Sequence, residues 1–158
     1  MSTTVELEDL VKDALAALSD EPGEAARADT TMRERFFELL VLILGNLYTK
    51  TPVAGALFDR ATMLRVTAGM DDAEGGRLTG RTEDWVRLEG LLRQQDGTKN
   101  YSVTRASLAV LSTLTATGTL GEVFEKILRR YAEAMPSENL RRSARVLGSY
   151  FLTRVARS

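Results

Sequence analysis

The sequence contains no cysteine and no histidine. A chain without cysteine can form neither a disulfide framework nor a thiolate metal site. A chain without histidine lacks the imidazole group that acts as base, nucleophile or metal ligand in most hydrolase triads and zinc sites. These two absences remove the commonest catalytic and metal-binding arrangements before any motif is considered.

The residues that remain form no recognisable catalytic arrangement. Glu83 and Asp84 are neighbours on a predicted helix, so their carboxylates point about 100° apart and do not converge on one substrate. Lysine is scarce and never follows serine in the Ser-x-x-Lys pattern of serine nucleophiles. The lysines are Lys12, Lys50, Lys99 and Lys126. We therefore predict a protein that is not an enzyme and that has neither a cofactor nor a bound metal.

No apolar run is long enough to cross a membrane. The most apolar one, from Leu39 to Leu44, is far shorter than the roughly 20 residues that a spanning helix needs. The first residues are acidic and lack the basic and then apolar order of a signal peptide. With 158 residues, 44% hydrophobic and 27% charged, the chain suits one globular domain with or without a helical extension. We expect a soluble cytoplasmic protein without a membrane partner.

The two ends of the chain carry opposite charges, although the net charge is only −1. Residues 1–29 contain eight acids and two basic residues, a net charge of −6. Residues 126–158 contain eight basic residues and two acids, a net charge of +6. One interpretation is a basic C-terminal surface that meets phosphate or an acidic partner. The favoured interpretation is that the two ends attract each other, within a protomer or across a dimer.

Two N-terminal helices are predicted from apolar spacing and capping residues. The first, an amphipathic helix over residues 5–18, is suited either to dimerisation or to packing on its own domain. Thr31 and Glu34 form a capping box before a helix over residues 36–48 that is apolar on nearly every side. Such a helix must be covered on all sides, so we expect it at the centre of the core. The segments that follow are a second helical region and a solvated loop, residues 53–68 and 70–76.

The spacing of apolar residues after position 82 predicts a third helix that ends at a glycine. Trp85, Leu88 and Leu92 recur at i, i+3 and i+7, which places them on one helical face. Thr82 is a suitable N-cap for this helix, and Gly90 supplies the positive φ that a helix end favours. The helix is therefore predicted between Thr82 and Gly90.

A β-hairpin and a further helix are predicted directly afterwards. Asp96 and Gly97 form a strong turn signal, and residues 100–103 alternate between polar and apolar side chains as in a half-buried strand. Thr104 is positioned to cap the next helix, which we expect to continue to Ala116. The predicted order is helix, glycine, strand, turn, strand and helix.

The residues that carry this order are Trp85, Leu88, Gly90, Leu91, Leu92, Asp96, Gly97, Tyr101, Val103, Thr104, Leu108 and Leu111. They resemble the second half of a winged helix-turn-helix domain, in which a recognition helix leads into a two-stranded wing. The resemblance implies a mainly α fold: a winged helix-turn-helix core with a small two-stranded β wing, flanked by N- and C-terminal helices. The implied boundaries are an N-terminal helix and loop at 1–28, the core at 29–116 and a C-terminal helical pair at 117–158.

The C-terminal pair is predicted from a second capping box and an apolar stripe. Thr119 and Glu122 repeat the capping pattern, and Ser137, which follows Pro136, is a good cap for the last helix. The stripe on that helix consists of Leu140, Ala144, Leu147, Phe151 and Val155. Ordinary core packing is the favoured interpretation of this stripe. The alternative is a homodimer or protein-partner contact through Leu140, Leu147 and Phe151.

Two hypotheses for function follow from the resemblance and from the charges. The first is a DNA-binding transcriptional regulator, dimeric and bound to double-stranded DNA, because winged helices commonly bind duplexes. Its candidate contacts are Arg81, Arg87, Arg93 and Lys99. Four acids lie in the same region and cancel these charges, which weakens the hypothesis. Those acids are Glu83, Asp84, Glu89 and Asp96.

The second hypothesis is a winged-helix protein-protein interaction or scaffold subunit that does not bind DNA directly. In general pattern the sequence is similar to winged-helix accessory subunits of chromosome-organising complexes. The position of the C-terminal arginines discriminates between the two hypotheses. Arginines beside the wing would restore the positive surface that DNA binding requires, whereas arginines against the acidic first helix would not.

Overall fold

The computed structural model describes residues 3–23 and 31–156, and this part of the chain is mainly helical with a small antiparallel sheet. It contains seven helices and five short strands. In chain order they are α1 (Thr3–Ala17), α2 (Met32–Lys50), β1 (Gly55–Ala56), α3 (Arg60–Val66), α4 (Asp72–Leu88), β2 (Leu92–Gln94), β3 (Asn100–Val103), α5 (Arg105–Leu111), β4 (Leu114–Thr115), β5 (Gly118–Thr119), α6 (Leu120–Glu133) and α7 (Glu138–Ala156).

Helix α2 is the centre of the core, as its all-round apolar sequence predicts. The predicted capping box opens it: Thr31 Oγ1 accepts from the Glu34 backbone N at 3.1 Å, and Glu34 Oε1 accepts from the Thr31 backbone N at 3.0 Å. Residues 39–44 are fully buried. Helices α3, α4, α6 and α7 and strand β3 all pack against α2, so every side of this helix is covered.

Two glycines allow other helices to approach α2 at backbone distance. A Cβ atom on Gly45 of α2 would lie 2.7 Å from the carbonyl carbon and oxygen of Phe124 in α6. A Cβ atom on Gly148 of α7 would lie 2.6 Å from the carbonyl oxygen of Phe37 in α2. Real side chains cannot occupy such positions, so both helix crossings require glycine.

The three-stranded sheet has the order β1-β3-β2, and both pairings are antiparallel. Strands β2 and β3 form the predicted hairpin, with Leu92 opposite Val103 and Gly97 in the turn at φ 72°. Gly90, at φ 73°, ends the preceding helix as predicted. Thr104 caps α5 as predicted, since its side chain accepts from the Ser107 backbone N.

The structure differs from the prediction in the segment before the hairpin. Residues 53–68 form the short strand β1 and the seven-residue helix α3 instead of one helical region. The expected loop at 70–76 is the first turn and a half of α4, because Asp71 and Glu74 form a capping box of their own. Thr82 is therefore no N-cap: it is buried within α4 and donates to the Leu78 carbonyl at 2.6 Å.

Helix α5 ends at Leu111, earlier than predicted, and a second hairpin of β4 and β5 replaces its expected last turn. Gly118, at φ 128°, begins β5 opposite Thr115, so the two strands are joined by Ala116 and Thr117 alone. Glu8 of α1 accepts from the Ala116 backbone N at 3.0 and 3.2 Å, which fixes the hairpin to the first helix. Thr119 then opens α6 through the predicted capping box with Glu122.

Substitution at the α2–α6 crossing tests the packing of the central helix. We expect Gly45→Ala to lower the free energy of unfolding by about 1–3 kcal/mol, because its methyl group meets backbone atoms that cannot move aside. The matched control is Gly80→Ala in α4, where a Cβ atom meets nothing within 4 Å. This control should raise the free energy of unfolding by about 0.5–1 kcal/mol. Urea unfolding followed by circular dichroism measures the free energy of unfolding of both variants. Equal changes in the two variants would contradict the close approach of α6 to α2.

The α6 capping box gives stability a dependence on pH. The backbone N–H and hydroxyl of Thr119 hold the pKa of Glu122 below its ordinary value of 4.5. A carboxylate with a lowered pKa in the folded state contributes stability above its unfolded pKa and loses that contribution as the pH falls through the lowered pKa. Glu122→Gln keeps a cap acceptor but does not titrate.

We therefore expect the folded protein to be more stable than its Glu122→Gln variant above pH 4.5, with the difference closing as the pH falls further. Urea unfolding at a series of pH values measures this difference. Glu133→Gln, at the exposed end of the same helix, is the matched control. If Glu122→Gln and Glu133→Gln show the same pH dependence of stability, the capping box is not its source.

Candidate functional site

The four cations proposed to contact DNA lie on α4 and on the β2–β3 hairpin, and all four are exposed. Two of them are paired with acids of α4. Arg87 Nη2 lies 3.2 Å from Asp84 Oδ1, and Lys99 Nζ lies 3.4 Å from Glu83 Oε1. Arg81 and Arg93 form no ion pair with the described residues. The positive charge that this surface offers to a phosphate backbone is therefore about half of what the residue types suggest.

Four C-terminal arginines do not extend this surface, because each is engaged elsewhere in the protein. Arg141 and Arg145 of α7 are engaged with buried Glu38, while Arg130 of α6 donates to the backbone oxygen of Asp20 at 3.2 Å. Arg129 is paired with Glu125 on its own helix. Helix α7 packs along α1, so the acidic and basic ends of the chain lie against each other within one protomer.

Glu38 is the centre of a buried polar network that the sequence analysis did not predict. Its side chain is fully buried in α2. Tyr131 Oη of α6 donates to Glu38 Oε1 at 2.7 Å, and Arg141 Nη1 lies 3.4 Å from the same oxygen. Arg145 Nε donates to Glu38 Oε2 at 3.1 Å. One carboxylate thus joins α2, α6 and α7, and we call these four residues the Glu38 network.

Two arginines extend this polar region to α3. Arg141 Nη2 donates to the Arg65 carbonyl at 2.7 Å, and Arg35 of α2 donates to the Val66 and Ala68 carbonyls at 3.2 and 2.8 Å. The Arg65 and Val66 carbonyls belong to the last turn of α3, where a helix lacks internal partners for its C=O groups, and Ala68 lies two residues beyond its end. The arginines therefore cap α3 from within the core.

The surroundings of Glu38 and Tyr131 shift both pKa values upwards. Burial raises the pKa of Glu38, and Arg141, the Tyr131 hydroxyl and Arg145 oppose that rise. Burial and the neighbouring Glu38 hold the pKa of Tyr131 well above its ordinary value, so its hydroxyl remains a proton donor. Glu38, Tyr131 and Arg141 are buried and bonded to one another, while Nε of Arg141 and Nη2 of Arg145 have no hydrogen-bond partner among the described residues. The network therefore serves to join α2, α6 and α7.

A sequence signal for the network does exist. Arg35 and Glu38 lie one turn apart at the start of the most apolar helix, and Arg141 directly follows Leu140 in the apolar stripe of α7. Charged residues at positions where the spacing predicts burial are seldom left unpaired. The signal could have indicated a buried ion pair, but it does not identify the partners.

An open apolar groove lies between α2, α4 and α7 and has a volume of about 330 Å³. Its walls consist of Met32, Arg33, Phe36, Phe37, Leu78, Arg81, Thr82, Trp85 and Leu152. The indole of Trp85 meets the ring of Phe36 edge-on, with the ring centres 5.2 Å apart at 79°. Trp85 remains 37% exposed, so its indole forms both wall and surface. We call these nine residues the apolar groove.

The apolar surface continues beyond the groove along α4. Leu88, one turn after Trp85, is 77% exposed. The spacing of Trp85, Leu88 and Leu92 predicts one helical face for all three. In the structure Trp85 and Leu88 share an exposed side of α4, whereas Leu92 lies in β2, beyond the end of this helix, and is buried. The buried face of α4 consists instead of Leu78, Thr82 and Val86, which recur every fourth residue. The prediction is correct for Trp85 and Leu88 and wrong for Leu92, and the spacing did not indicate which face of α4 packs on the core.

The three residues considered for a dimer or partner contact lie inside the protomer. Leu140, Leu147 and Phe151 have no exposed surface, and Phe151 packs against Phe124 of α6 with ring centres 6.3 Å apart. This is the core packing that the sequence analysis favoured. Any partner that binds α7 must use its outer face, where Val146 is 41% exposed.

No protein-family model, curated protein or solved structure matches the chain. Among residues 3–23 and 31–156, no three acidic side chains are grouped so that they could hold a metal ion. No helix in the same residues is long and apolar enough to cross a membrane.

Removal of the central carboxylate tests the Glu38 network. We expect Glu38→Ala to lower the free energy of unfolding by about 3–5 kcal/mol, because it leaves Arg141 and Tyr131 buried without their acceptor. The matched control is Glu138→Ala, which removes the half-exposed partner that lies 3.2 Å from Arg145. This control should cost less than about 1 kcal/mol. Urea unfolding at pH 7 measures both, and similar values for the two variants would contradict the central role of Glu38.

Proposed function

We propose that this chain is a non-enzymatic winged-helix binding module that docks a protein partner on the exposed side of α4. Support for the winged helix comes from the order of elements: α4, the Gly90 exit, the β2–β3 hairpin and the Thr104-capped helix α5 follow one another as the resemblance implies. A fold hosts many functions, so the choice of partner must come from the surface.

The observation that carries the proposal is the exposed apolar surface of Trp85 and Leu88 beside the apolar groove. Large apolar side chains that cluster on a surface mark sites of protein contact. Tryptophan is also among the residues that contribute most to binding energy at such contacts. A helix that reads DNA would instead present polar and basic side chains to base edges and phosphates.

Duplex DNA is the second candidate, and two exposed arginines favour it. Arg81 and Arg93 form no ion pair with the described residues, so both are able to contact phosphate. Against it, Arg87 and Lys99 are paired with acids. Arg141 and Arg145 are engaged with Glu38, and Arg130 with the backbone of Asp20 just after α1, which weakens the support for DNA binding.

Two binding assays together distinguish a protein partner from duplex DNA. In the first, the protein is titrated with a labelled random-sequence duplex at low salt and then at several higher salt concentrations. We do not expect binding that weakens steeply as the salt concentration rises, because the protein can neutralise few phosphates. Binding that weakens steeply with salt and falls further in an Arg93→Ala/Lys99→Ala variant would establish the DNA hypothesis instead.

In the second assay, photoreactive p-benzoylphenylalanine replaces Leu88 and the protein is irradiated in cells of its source. We expect a discrete protein adduct at this position. The matched control carries the same residue in place of Leu114, which is 75% exposed on the β4–β5 hairpin. Equal adducts at both positions, or none at position 88, would contradict a partner site on α4.

A further inference from the structure

We infer that the apolar groove takes an acidic amphipathic helical segment of a partner protein. Apolar side chains of that segment would enter between α2 and α4, and carboxylates beside them would pair with Arg33 and Arg81. This inference rests on the proposed function and names the chemistry of the partner. Its support comes from the shape of the groove, from the charge at its edge and from the rigidity of its walls.

The groove has the shape that a helical segment requires. It is open along one side, holds about 330 Å³ and is lined almost entirely by apolar and aromatic side chains. Amphipathic helices dock in such grooves through apolar residues at i, i+4 and i+7. Leu88 extends the apolar surface one turn past Trp85, so the contact surface is longer than the cavity itself. A small spherical ligand would leave this extension uncovered.

The edge of the groove is positively charged. Arg33 lies on the α2 wall and Arg81 on the α4 wall, and both side chains are exposed. Neither forms an ion pair with the described residues. The guanidinium of Arg33 lies over the ring of Phe37, 5.6 Å from its centre, which holds the charge at the edge of the groove. Among residues 3–23 and 31–156, no carboxylate lines the groove.

The acids closest in sequence to these arginines have other partners. Glu34 accepts from the Thr31 backbone and lies 3.4 Å from Arg145. Asp84 is paired with Arg87, and Glu83 with Lys99. These three acids are therefore paired within the protein, and the positive charge of Arg33 and Arg81 is left for a partner. A basic segment would be repelled at the same positions.

The walls are held in place before any partner binds. The capping box at Thr31 fixes the start of α2, and the buried residues Leu78 and Thr82 fix α4 against the core. The edge-on contact of Trp85 with Phe36 joins the two helices across the groove. A preformed site avoids the cost of ordering its side chains on binding, so more of the contact energy contributes to affinity.

Trp85 provides a direct readout of binding, because it is the only tryptophan in the chain. The probes are three tryptophan-free peptides of about four helical turns with leucine and phenylalanine at i, i+4 and i+7. The remaining positions carry mainly glutamate in the first peptide, lysine in the second and glutamine in the third. We expect the glutamate peptide to shift the Trp85 emission to the blue and to protect it from acrylamide quenching, in a saturable manner.

Charge reversal at the edge of the groove tests the role of the arginines. In an Arg33→Glu/Arg81→Glu variant we expect about tenfold weaker binding of the glutamate peptide, the effect of two modest ion pairs lost together. The matched control is Arg105→Glu/Lys126→Glu, which makes the same change in net charge with exposed residues that do not line the groove. This control should bind the glutamate peptide within about twofold of the unaltered protein.

The outcomes separate the inference from the proposed function. Equal or tighter binding of the lysine peptide would overturn the acidic partner and leave protein docking at the groove intact. Failure of all three peptides, together with a protein adduct at position 88, would overturn the inference alone. Failure of all three peptides with no such adduct would overturn both. A second copy of this chain is the remaining possible occupant. It would be identified if Trp85 emission changed with protein concentration alone and this change were lost in Arg33→Glu/Arg81→Glu. That result would overturn the inference.

Discussion

The burial of α2 on every side is the constraint on which the rest of the structure depends. A helix with apolar residues around its whole circumference is stable in water only when other elements cover it completely. The helices that cover α2 come from two parts of the sequence. Helices α3 and α4 follow α2 closely, whereas α6 and α7 lie near the C-terminal end of the sequence. One apolar segment thus determines which helices pack on α2 and where they cross it.

Polar groups within this apolar core specify how the covering helices are arranged. Hydrophobic packing alone tolerates small rotations and shifts between helices, whereas a buried carboxylate requires its donors at fixed positions. Glu38 has such donors only when Tyr131 and the α7 arginines are both present. The consequence for the surface is that Arg141 and Arg145 of α7 are directed towards Glu38 in the core instead of towards solvent.

Local signals in the sequence were sufficient for much of this fold. The capping boxes at Thr31 and Thr119 and the turn at Gly97 depend on contacts within a few residues, and each occurs where the sequence predicts it. The start of α4 was missed because Thr82 and Asp71 are both acceptable N-caps, and only the tertiary structure selects between them. Distant contacts were missed for the same reason: nothing near Glu38 in the sequence identifies Tyr131 as its partner. The groove depends on the direction in which α4 faces, which its apolar spacing does not specify.

The order in which the covering helices occur along the chain has a consequence for synthesis. Helix α2 ends at Lys50, but α6 begins only at Leu120 and α7 ends at Ala156. A nascent chain therefore carries its most apolar helix without the cover of α6 and α7 while residues 51–119 are being made. Uncovered apolar surface of this kind promotes aggregation of partly made chains. Chains cut short before α6 should accordingly depend on chaperones, however well their local helices and hairpin are specified.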